Sequence, residues 1–121
     1  MGRVLLAEDD STMRDMARRA LESDGHTVVE AHDGQEALDL LATEVAGFDV
    51  MLTDVQMPSV DGITLSLKAV EKFPNLRIIL MTAFAGSAIT PDRLKSNVKR
   101  VLQKPLALDQ LRGAVRAVLS A

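Results

Sequence analysis

A chain of 121 residues with 47% hydrophobic side chains can close one core, so we expect a single domain over residues 1–121. The absence of cysteine excludes disulfides and thiolate metal sites, and the first residues show neither a long apolar run nor a basic leader, which favours a cytoplasmic protein without a membrane segment. A net charge of -3, with no Trp, no Tyr and no Lys/Arg block, argues against direct binding of nucleic acid.

Apolar runs alternate with helix-periodic stretches along the whole chain, a pattern typical of βα units around a parallel sheet. We predict strands at residues 4–7, 27–31, 50–53, 77–81 and 98–103. Each strand is followed by a stretch of about a dozen residues with helical spacing. The sequence therefore predicts an α/β fold in which a doubly wound parallel sheet has helices on both faces.

The first two predicted helices have clear start and stop signals. The first is capped by Ser11 or Thr12 and ends before Gly25. The second opens at Asp33 and stops at Gly47. The apolar residues of its predicted inner stripe are Ala37, Leu38, Leu41 and Val45. Both helices are expected to pack their apolar stripes against the sheet.

The later helices differ in the strength of their signals. Apolar residues at helical spacing predict a third helix, marked by Ile63, Leu67 and Val70. They also predict a closing helix behind Asp109, whose apolar face consists of Leu108, Leu111, Val115, Val118 and Leu119. The fourth helix is the weakest, because Gly86 is permissive and Pro91 fits best as the first helical residue after a Thr90 cap. We therefore predict that the fourth helix is short and shifted along the chain.

Reactive side chains follow four of the predicted strands. They are Glu8, Asp9 and Asp10 after the first strand, Asp54 after the third, Thr82 after the fourth and Lys104, followed by Pro105, after the fifth. Ligands of open parallel sheets bind outside the carboxyl ends of the strands, where these residues should meet. Each residue alone has an ordinary reading as a loop or capping residue, but together their chemistry is complementary. We predict a site at this edge, with Asp54 facing solvent.

The clustered carboxylates predict a cation, because they repel one another unless a cation joins them. Cysteine is absent, and we expect His26 and His32, which flank the second strand away from this edge, to lie at the surface. Hard oxygen ligands without sulfur or imidazole suit Mg2+. The predicted direct ligands are Asp9 and Asp54.

A cation at this place would also prepare Asp54 for reaction with a polyanion. Its second oxygen would then act as a nucleophile toward phosphorus, as in aspartyl-phosphate chemistry. Lys104 and Thr82 would hold the phosphoryl oxygens. Phosphoryl transfer requires little more than positioning and neutralisation of charge, and these residues supply both.

The same residues carry a resemblance to a known family, the receiver domains of two-component response regulators, of which CheY is a member. The motifs are Glu8-Asp9-Asp10, Asp54 within Asp-Val-Gln-Met-Pro-Ser-Val-Asp-Gly, Met81-Thr82-Ala83 and Lys104-Pro105, in the family's order and at its spacings. The resemblance covers the whole chain. It implies a flavodoxin-like (βα)5 fold with strand order 2-1-3-4-5.

The resemblance also implies a role for each matching residue. Asp54 would accept phosphate from a histidine kinase or a histidine phosphotransfer protein, Thr82 would be the switch hydroxyl, and Lys104 would pair with the phosphate and precede a cis peptide bond. The implied Mg2+ ligands are Glu8 through water, Asp9, Asp54 and the Gln56 carbonyl. The implied cofactor-binding residues are Gln56 and Ala83.

Some positions depart from the family's usual pattern. Val101 stands where the family usually has an aromatic switch residue, and Leu106 follows Lys104-Pro105 where Phe is usual. Phe84 and the Arg100-Val101 segment resemble the CpdR-type stand-alone receivers of alphaproteobacteria, which act on regulated proteolysis. That resemblance implies a downstream protein target, such as protease adaptor machinery.

Three classes of function are open to such a chain. We favour a phosphorylation-switched module whose fourth helix, fifth strand and closing helix bind another protein, because no output domain follows the closing helix. A phosphotransfer shuttle or phosphate sink is the alternative. An aspartate-nucleophile phosphatase needs a general acid two residues after the nucleophile, where this chain has Gln56. We therefore expect no enzyme activity beyond the domain's own phosphorylation and dephosphorylation.

Overall fold

A computed structural model describes residues 2–84 and 90–120. Its parallel sheet has five strands in the order β2-β1-β3-β4-β5, which confirms the fold and strand order implied by the resemblance. The strands are β1 (Arg3–Ala7), β2 (Thr27–Ala31), β3 (Val50–Asp54), β4 (Arg77–Thr82) and β5 (Val98–Gln103). β3 lies at the centre between β1 and β4, and β2 and β5 form the two edges.

The helices of the described residues are α1 (Ser11–Ser23), α2 (Gly34–Thr43), α3 (Gly62–Lys72) and α4 (Leu108–Ser120), together with a 3-10 turn at Asp92–Leu94. The fourth predicted helix corresponds to that 3-10 turn, and Gly86 lies outside the described residues. Pro91 is the residue before the turn, not its first residue, and no side chain caps it. Its extended ψ of 151° explains why helical geometry starts only afterwards.

Successive side chains of a strand point to opposite faces of the sheet. Because β1, β3 and β4 are apolar at consecutive positions, both faces of the sheet carry an apolar cluster. Leu5, Met51 and Leu80 pack in the cluster under α2 and α3. Val4, Leu52 and Ile79 pack in the second cluster, under α1 and α4. The two clusters thus pack the sheet from both sides and support the carboxyl ends of β1, β3 and β4.

Three helices begin with an aspartate cap at the carboxyl edge of the sheet. Asp10 accepts the N–H of Met13 at 3.0 Å, so the prediction of Ser11 or Thr12 as the cap of α1 was wrong. Asp33 caps α2 as predicted, and Asp61 caps α3, each accepting an N–H at 2.8 Å. A carboxylate is a strong N-cap acceptor and also suits the positive end of the helix dipole.

Two further sequence predictions were wrong. Val45 does not belong to the inner stripe of α2, because the helix ends at Thr43 and Val45 is fully exposed. His26 is buried, and its Nδ1 accepts the main-chain N–H of Gly2 at 3.2 Å, whereas His32 is exposed as predicted. Among the described helices, none has both the length and the apolar character needed to cross a membrane.

Candidate functional site

The side chains at the carboxyl edge are held by backbone hydrogen bonds that continue past the strand ends. Glu8 donates its N–H to the Ala31 carbonyl at 3.1 Å, and Lys104 donates to the Thr82 carbonyl at 2.9 Å. Val55, the residue after Asp54, donates its N–H to the Met81 carbonyl of β4, also at 2.9 Å. The Lys104–Pro105 peptide bond is cis, as predicted. The reactive side chains are therefore fixed by the sheet itself.

Three carboxylates meet at this edge, as the sequence predicted. Glu8, Asp9 and Asp54 each offer an oxygen, and these oxygens all lie within 4.8 Å of one another. Asp9 is exposed, whereas Glu8 is 0% and Asp54 3% exposed. The prediction that Asp54 faces solvent was therefore wrong. The reason is that β3 is the central strand, so the ends of its neighbours flank its last residue on both sides.

Lys104 brings the only described ammonium in contact with these carboxylates. Its Nζ lies 2.6 Å from Oδ1 of Asp54 and 3.0 Å from Oε1 of Glu8. The contact with Glu8 is a hydrogen bond, whereas that with Asp54 is an ion pair without hydrogen-bond alignment, and both Asp54 oxygens are buried without a hydrogen-bond partner among the described residues. Within the described residues, Asp54 is thus held by the charge of Lys104, and neither of its oxygens has a hydrogen-bond partner.

Burial and the packed charges shift the pKa of each group. Burial, followed by contact with Glu8, raises the pKa of Asp54 to about 8, although Lys104 acts in the opposite direction. Burial also opposes ionisation of Glu8, but contacts with Asp54 and Lys104 lower its pKa. Burial would lower the pKa of Lys104, but its two carboxylate partners raise it. One positive charge does not neutralise two buried carboxylates, and a further cation would restore ionisation of Asp54.

The hydroxyl of Thr82 lies in the same site and is hydrogen-bonded to protein groups. Thr82 is 1% exposed, and its hydroxyl donates to Oε1 of Gln56 at 3.2 Å. It accepts the main-chain N–H of Phe84 at 3.1 Å. The next residue, Ala83, is exposed and its carbonyl accepts a hydrogen bond from Nε2 of Gln103 at 3.1 Å. The end of β4 and the residue after it are therefore tied to the loop after β3 and to the end of β5.

Gly62 allows α3 to begin directly against the end of β3. A Cβ at this position would lie 1.9 Å from the carbonyl oxygen of Asp54, which no side chain can tolerate. The N–H of Gly62 donates to the carbonyl of Val55 at 2.8 Å and so closes the loop between them. Close approach of two backbone segments therefore requires glycine at this position.

Two residues that contact the site were missed by reasoning from the sequence. Arg14 donates from Nη1 to the carbonyl of Glu8 at 2.8 Å and so ties α1 to the loop after β1. Gln103 supports the loop after β4, as described above. Neither contact joins residues at a helix or strand spacing, so the sequence carried no signal for them.

The donor set fits Mg2+. All donors are oxygen atoms, the cluster combines an exposed carboxylate with buried ones, and the two buried Asp54 oxygens have no hydrogen-bond partner among the described residues. Mg2+ prefers such oxygen ligands and keeps several waters, for which the exposed Asp9 side leaves room. A pocket of about 570 Å³ adjoins the cluster and is lined by Asp9, Val55, Gln56, Met57, Pro58, Asp61 and Ile63.

Comparison with known protein families identifies the family of this chain. The profile of the response regulator receiver domain matches residues 4–116. The chain belongs to the response regulator receiver domain family. Members of this family take phosphate from histidine kinases or phosphotransfer proteins and bind Mg2+ at an acidic site. The acidic group of Glu8, Asp9 and Asp54 fits such a phosphoacceptor site.

Individual relatives support the same assignment. The receiver is 40% identical, over 100% of its length and 99% of the relative's, to the response regulator receiver protein CpdR of Brucella abortus (strain 2308). It is 34% identical over 117 residues to the response regulator MprA of Mycobacterium avium (strain 104), of which it spans 50%. The Francisella response regulator 1452 receiver domain has a TM-score of 0.85 and 32% identity, covering 99% of this chain and 98% of that one. These relatives are response regulators, not classical enzymes.

Proposed function

We propose that Asp54 is the phosphoacceptor of this receiver. A carboxylate oxygen of Asp54 attacks the phosphorus of a phosphohistidine on a histidine kinase or histidine phosphotransfer protein. The new O–P bond of the acyl phosphate forms as the P–N bond breaks, and the imidazole leaves with the electron pair and takes up a proton. The observation that supports this role best is the pair of buried Asp54 oxygens, which have no hydrogen-bond partner among the described residues and lie beside the Lys104 ammonium.

Mg2+ is the proposed cofactor. Asp9, Asp54 and the Gln56 carbonyl would bind it directly, with Glu8 acting through water and Ala83 lying beside the bound groups. When bound, the cation neutralises carboxylate and phosphoryl charge in the transfer step. The support from this chain is the all-oxygen cluster, in which the charge of Lys104 compensates only part of the negative charge.

Thr82 and Lys104 are proposed to hold the phosphoryl oxygens. Lys104 already contacts Asp54, so a phosphoryl group on that residue would come within reach of the same ammonium. The Thr82 hydroxyl would donate a hydrogen bond to another oxygen. Such charge-assisted bonds are roughly twice as strong as neutral ones and would stabilise the phosphorylated form.

The proposed output is binding of a downstream protein in the cytoplasm. The binding face would consist of the 3-10 turn and β5, which lie between Thr82 and Lys104 in the chain, and α4, which follows Lys104. Arg93 and Arg100 are exposed on this face, whereas Leu106 is half-buried. The likeness to CpdR and the resemblance described above suggest protease adaptor machinery as the target. A nearby groove of about 610 Å³ is lined partly by Arg77, Lys99 and Arg100.

The test of the phosphoacceptor is Asp54→Asn, which keeps the size of the side chain and removes its charge. We expect this variant to fold and to take no stable label from acetyl phosphate or from a phosphorylated histidine phosphotransfer protein. Label is measured by mass spectrometry or with radioactive phosphate. Asp39→Asn is the matched control, since Asp39 is an exposed residue on α2 and should leave labelling unchanged. Stable labelling of the folded Asp54→Asn variant would refute the assignment.

A further inference from the structure

Gln56, in the loop after β3, and Thr82, the last residue of β4, share a hydrogen bond beside the phosphoacceptor. The Thr82 hydroxyl donates to Gln56 Oε1 at 3.2 Å, and it accepts the Phe84 N–H at 3.1 Å. Thr82 is buried, whereas Gln56 is exposed. The proton of the hydroxyl and one of its lone pairs are thus taken by groups of the protein itself.

A threonine hydroxyl has a single proton to donate. In the function proposed above, that proton goes to a phosphoryl oxygen on Asp54, so it cannot stay on Gln56. The Gln56 amide is oriented with Oε1 toward the Thr82 hydroxyl, which is the arrangement that gives the hydroxyl proton an acceptor. Gln56 and the phosphoryl group therefore compete for one donor.

We propose that the Gln56 side chain is a positioning residue that holds the Thr82 hydroxyl in its unswitched place and so weakens binding of a phosphoryl group by the receiver. This inference rests on the proposed function, in which Asp54 is phosphorylated and Thr82 contacts the phosphoryl group. The side-chain role is separate from that of the Gln56 main-chain carbonyl, the proposed Mg2+ ligand. Substitution of the side chain leaves the carbonyl in place, so the two roles can be tested separately.

The Gln56–Thr82 hydrogen bond is one of two contacts by amide side chains that restrain the end of β4 within the described residues. Val101 on β5 packs against the apolar cluster and has no polar side-chain atom that could restrain the loop after β4. Amide side chains restrain it instead: Gln56 engages the hydroxyl of Thr82, and Gln103 engages the carbonyl of Ala83. Only the contact of Gln56 uses the group that the phosphoryl oxygen needs.

The test replaces Gln56 by methionine, which keeps the length of the side chain and removes the acceptor. Beryllofluoride, a phosphoryl mimic, is titrated at saturating Mg2+, and binding is followed by backbone amide shifts. Water competes for the exposed Gln56 amide, so the bond falls in the lower part of the usual range and Gln56→Met should bind beryllofluoride about two- to fivefold more tightly. The Phe84 amide signal should also shift before any beryllofluoride is added.

Two further variants separate this role from a general structural effect. Gln35→Met makes the same chemical change on the surface of α2, where Gln35 contacts Asp39, and should leave the affinity unchanged. Thr82→Val removes the hydroxyl for which Gln56 and the phosphoryl group compete. In the Thr82→Val background, Gln56→Met should therefore produce no further gain in affinity.

Each outcome of the titration decides the question. Tighter binding by Gln56→Met that disappears in the Thr82→Val background supports the inference. Equal affinity of wild type and Gln56→Met, weaker binding by the variant, or an equal gain in both backgrounds overturns it while leaving the proposed function intact. A wild-type receiver that binds no beryllofluoride at all would refute the proposed function and this inference together.

Discussion

Asp9 and Asp10 are adjacent acidic residues whose side chains have different roles in the structure. Asp9 is exposed beside Glu8 and Asp54, within the group of oxygens that could hold a cation. Asp10 turns its carboxylate to the first turn of α1, where it accepts the Met13 N–H at 3.0 Å. A carboxylate used as an N-cap stabilises a helix, whereas one beside other carboxylates favours a cation. The two residues should therefore respond differently to substitution.

We predict that Asp9→Asn mainly lowers Mg2+ affinity and that Asp10→Ala mainly lowers the free energy of unfolding. Asp9→Asn removes a charged ligand and should weaken Mg2+ binding by about tenfold or more, with little change in the free energy of unfolding. Asp10→Ala removes the cap and should lower the free energy of unfolding by about 1 kcal/mol, with a smaller effect on Mg2+ affinity. Metal titration and urea unfolding measure the two quantities. Equal losses of Mg2+ affinity in both variants would mean that the metal ligands are wrongly assigned.

At the scale of the elements, the junction of β3 with α3 depends on one residue without a side chain. Gly62→Ala would place a Cβ 1.9 Å from the Asp54 carbonyl oxygen, and the rigid backbone there cannot move away cheaply. We expect a loss of about 2–3 kcal/mol in the free energy of unfolding, together with weaker Mg2+ binding because Asp54 is displaced. Urea unfolding and metal titration provide the measurement.

Gly113 supplies the matched control for this substitution. It lies on the exposed side of α4, and a Cβ there would meet no atom within 4 Å. Gly113→Ala should therefore raise the free energy of unfolding by about 0.5–1 kcal/mol, through helix propensity alone. If both glycine variants were equally stable, close approach at Gly62 would not limit the packing of α3.

The strands could be predicted from the sequence within one residue, because apolar runs report burial on both faces of a parallel sheet. Helix ends were harder, since neighbouring polar residues compete for the same cap. Asp10 prevails over Ser11 and Thr12 because its position brings the carboxylate to the Met13 N–H. The inner stripe of α2 was extended to Val45 because spacing alone does not show that the helix ends at Thr43.

The residues of the site could be predicted from the sequence, but their environment could not. Their positions at the ends of predicted strands placed five residues at one edge of the sheet, and the structure brings them together. They are Glu8, Asp9, Asp54, Thr82 and Lys104. Burial of Asp54 depends on the central position of β3, which is a property of the whole sheet. The hydrogen bonds of Gln56 with Thr82 and of Gln103 with Ala83 join segments that are distant in sequence. No local pattern reports such contacts.

At the scale of the whole molecule, a phosphoryl group can act only through elements that contact it differently in two arrangements. Lys104 and Thr82 are joined through the backbone, since the N–H of Lys104 donates to the Thr82 carbonyl at 2.9 Å. Gln103 adds a side-chain contact with Ala83. Movement of the loop after β4 would therefore reach β5 directly. β2 lies on the opposite edge of the sheet, separated from β4 by β1 and β3.

We predict that beryllofluoride with Mg2+ shifts the backbone amide signals of residues 90–106 as well as those of the loops after β1 and β3. The signals of β2 should change least, because this strand pairs only with β1 among the described strands. Two-dimensional amide spectra of the labelled protein measure both regions at once, and Asp54→Asn controls for effects of the added salts. Shifts confined to the loops after β1 and β3 would show that the signal does not leave through β5 and its neighbours.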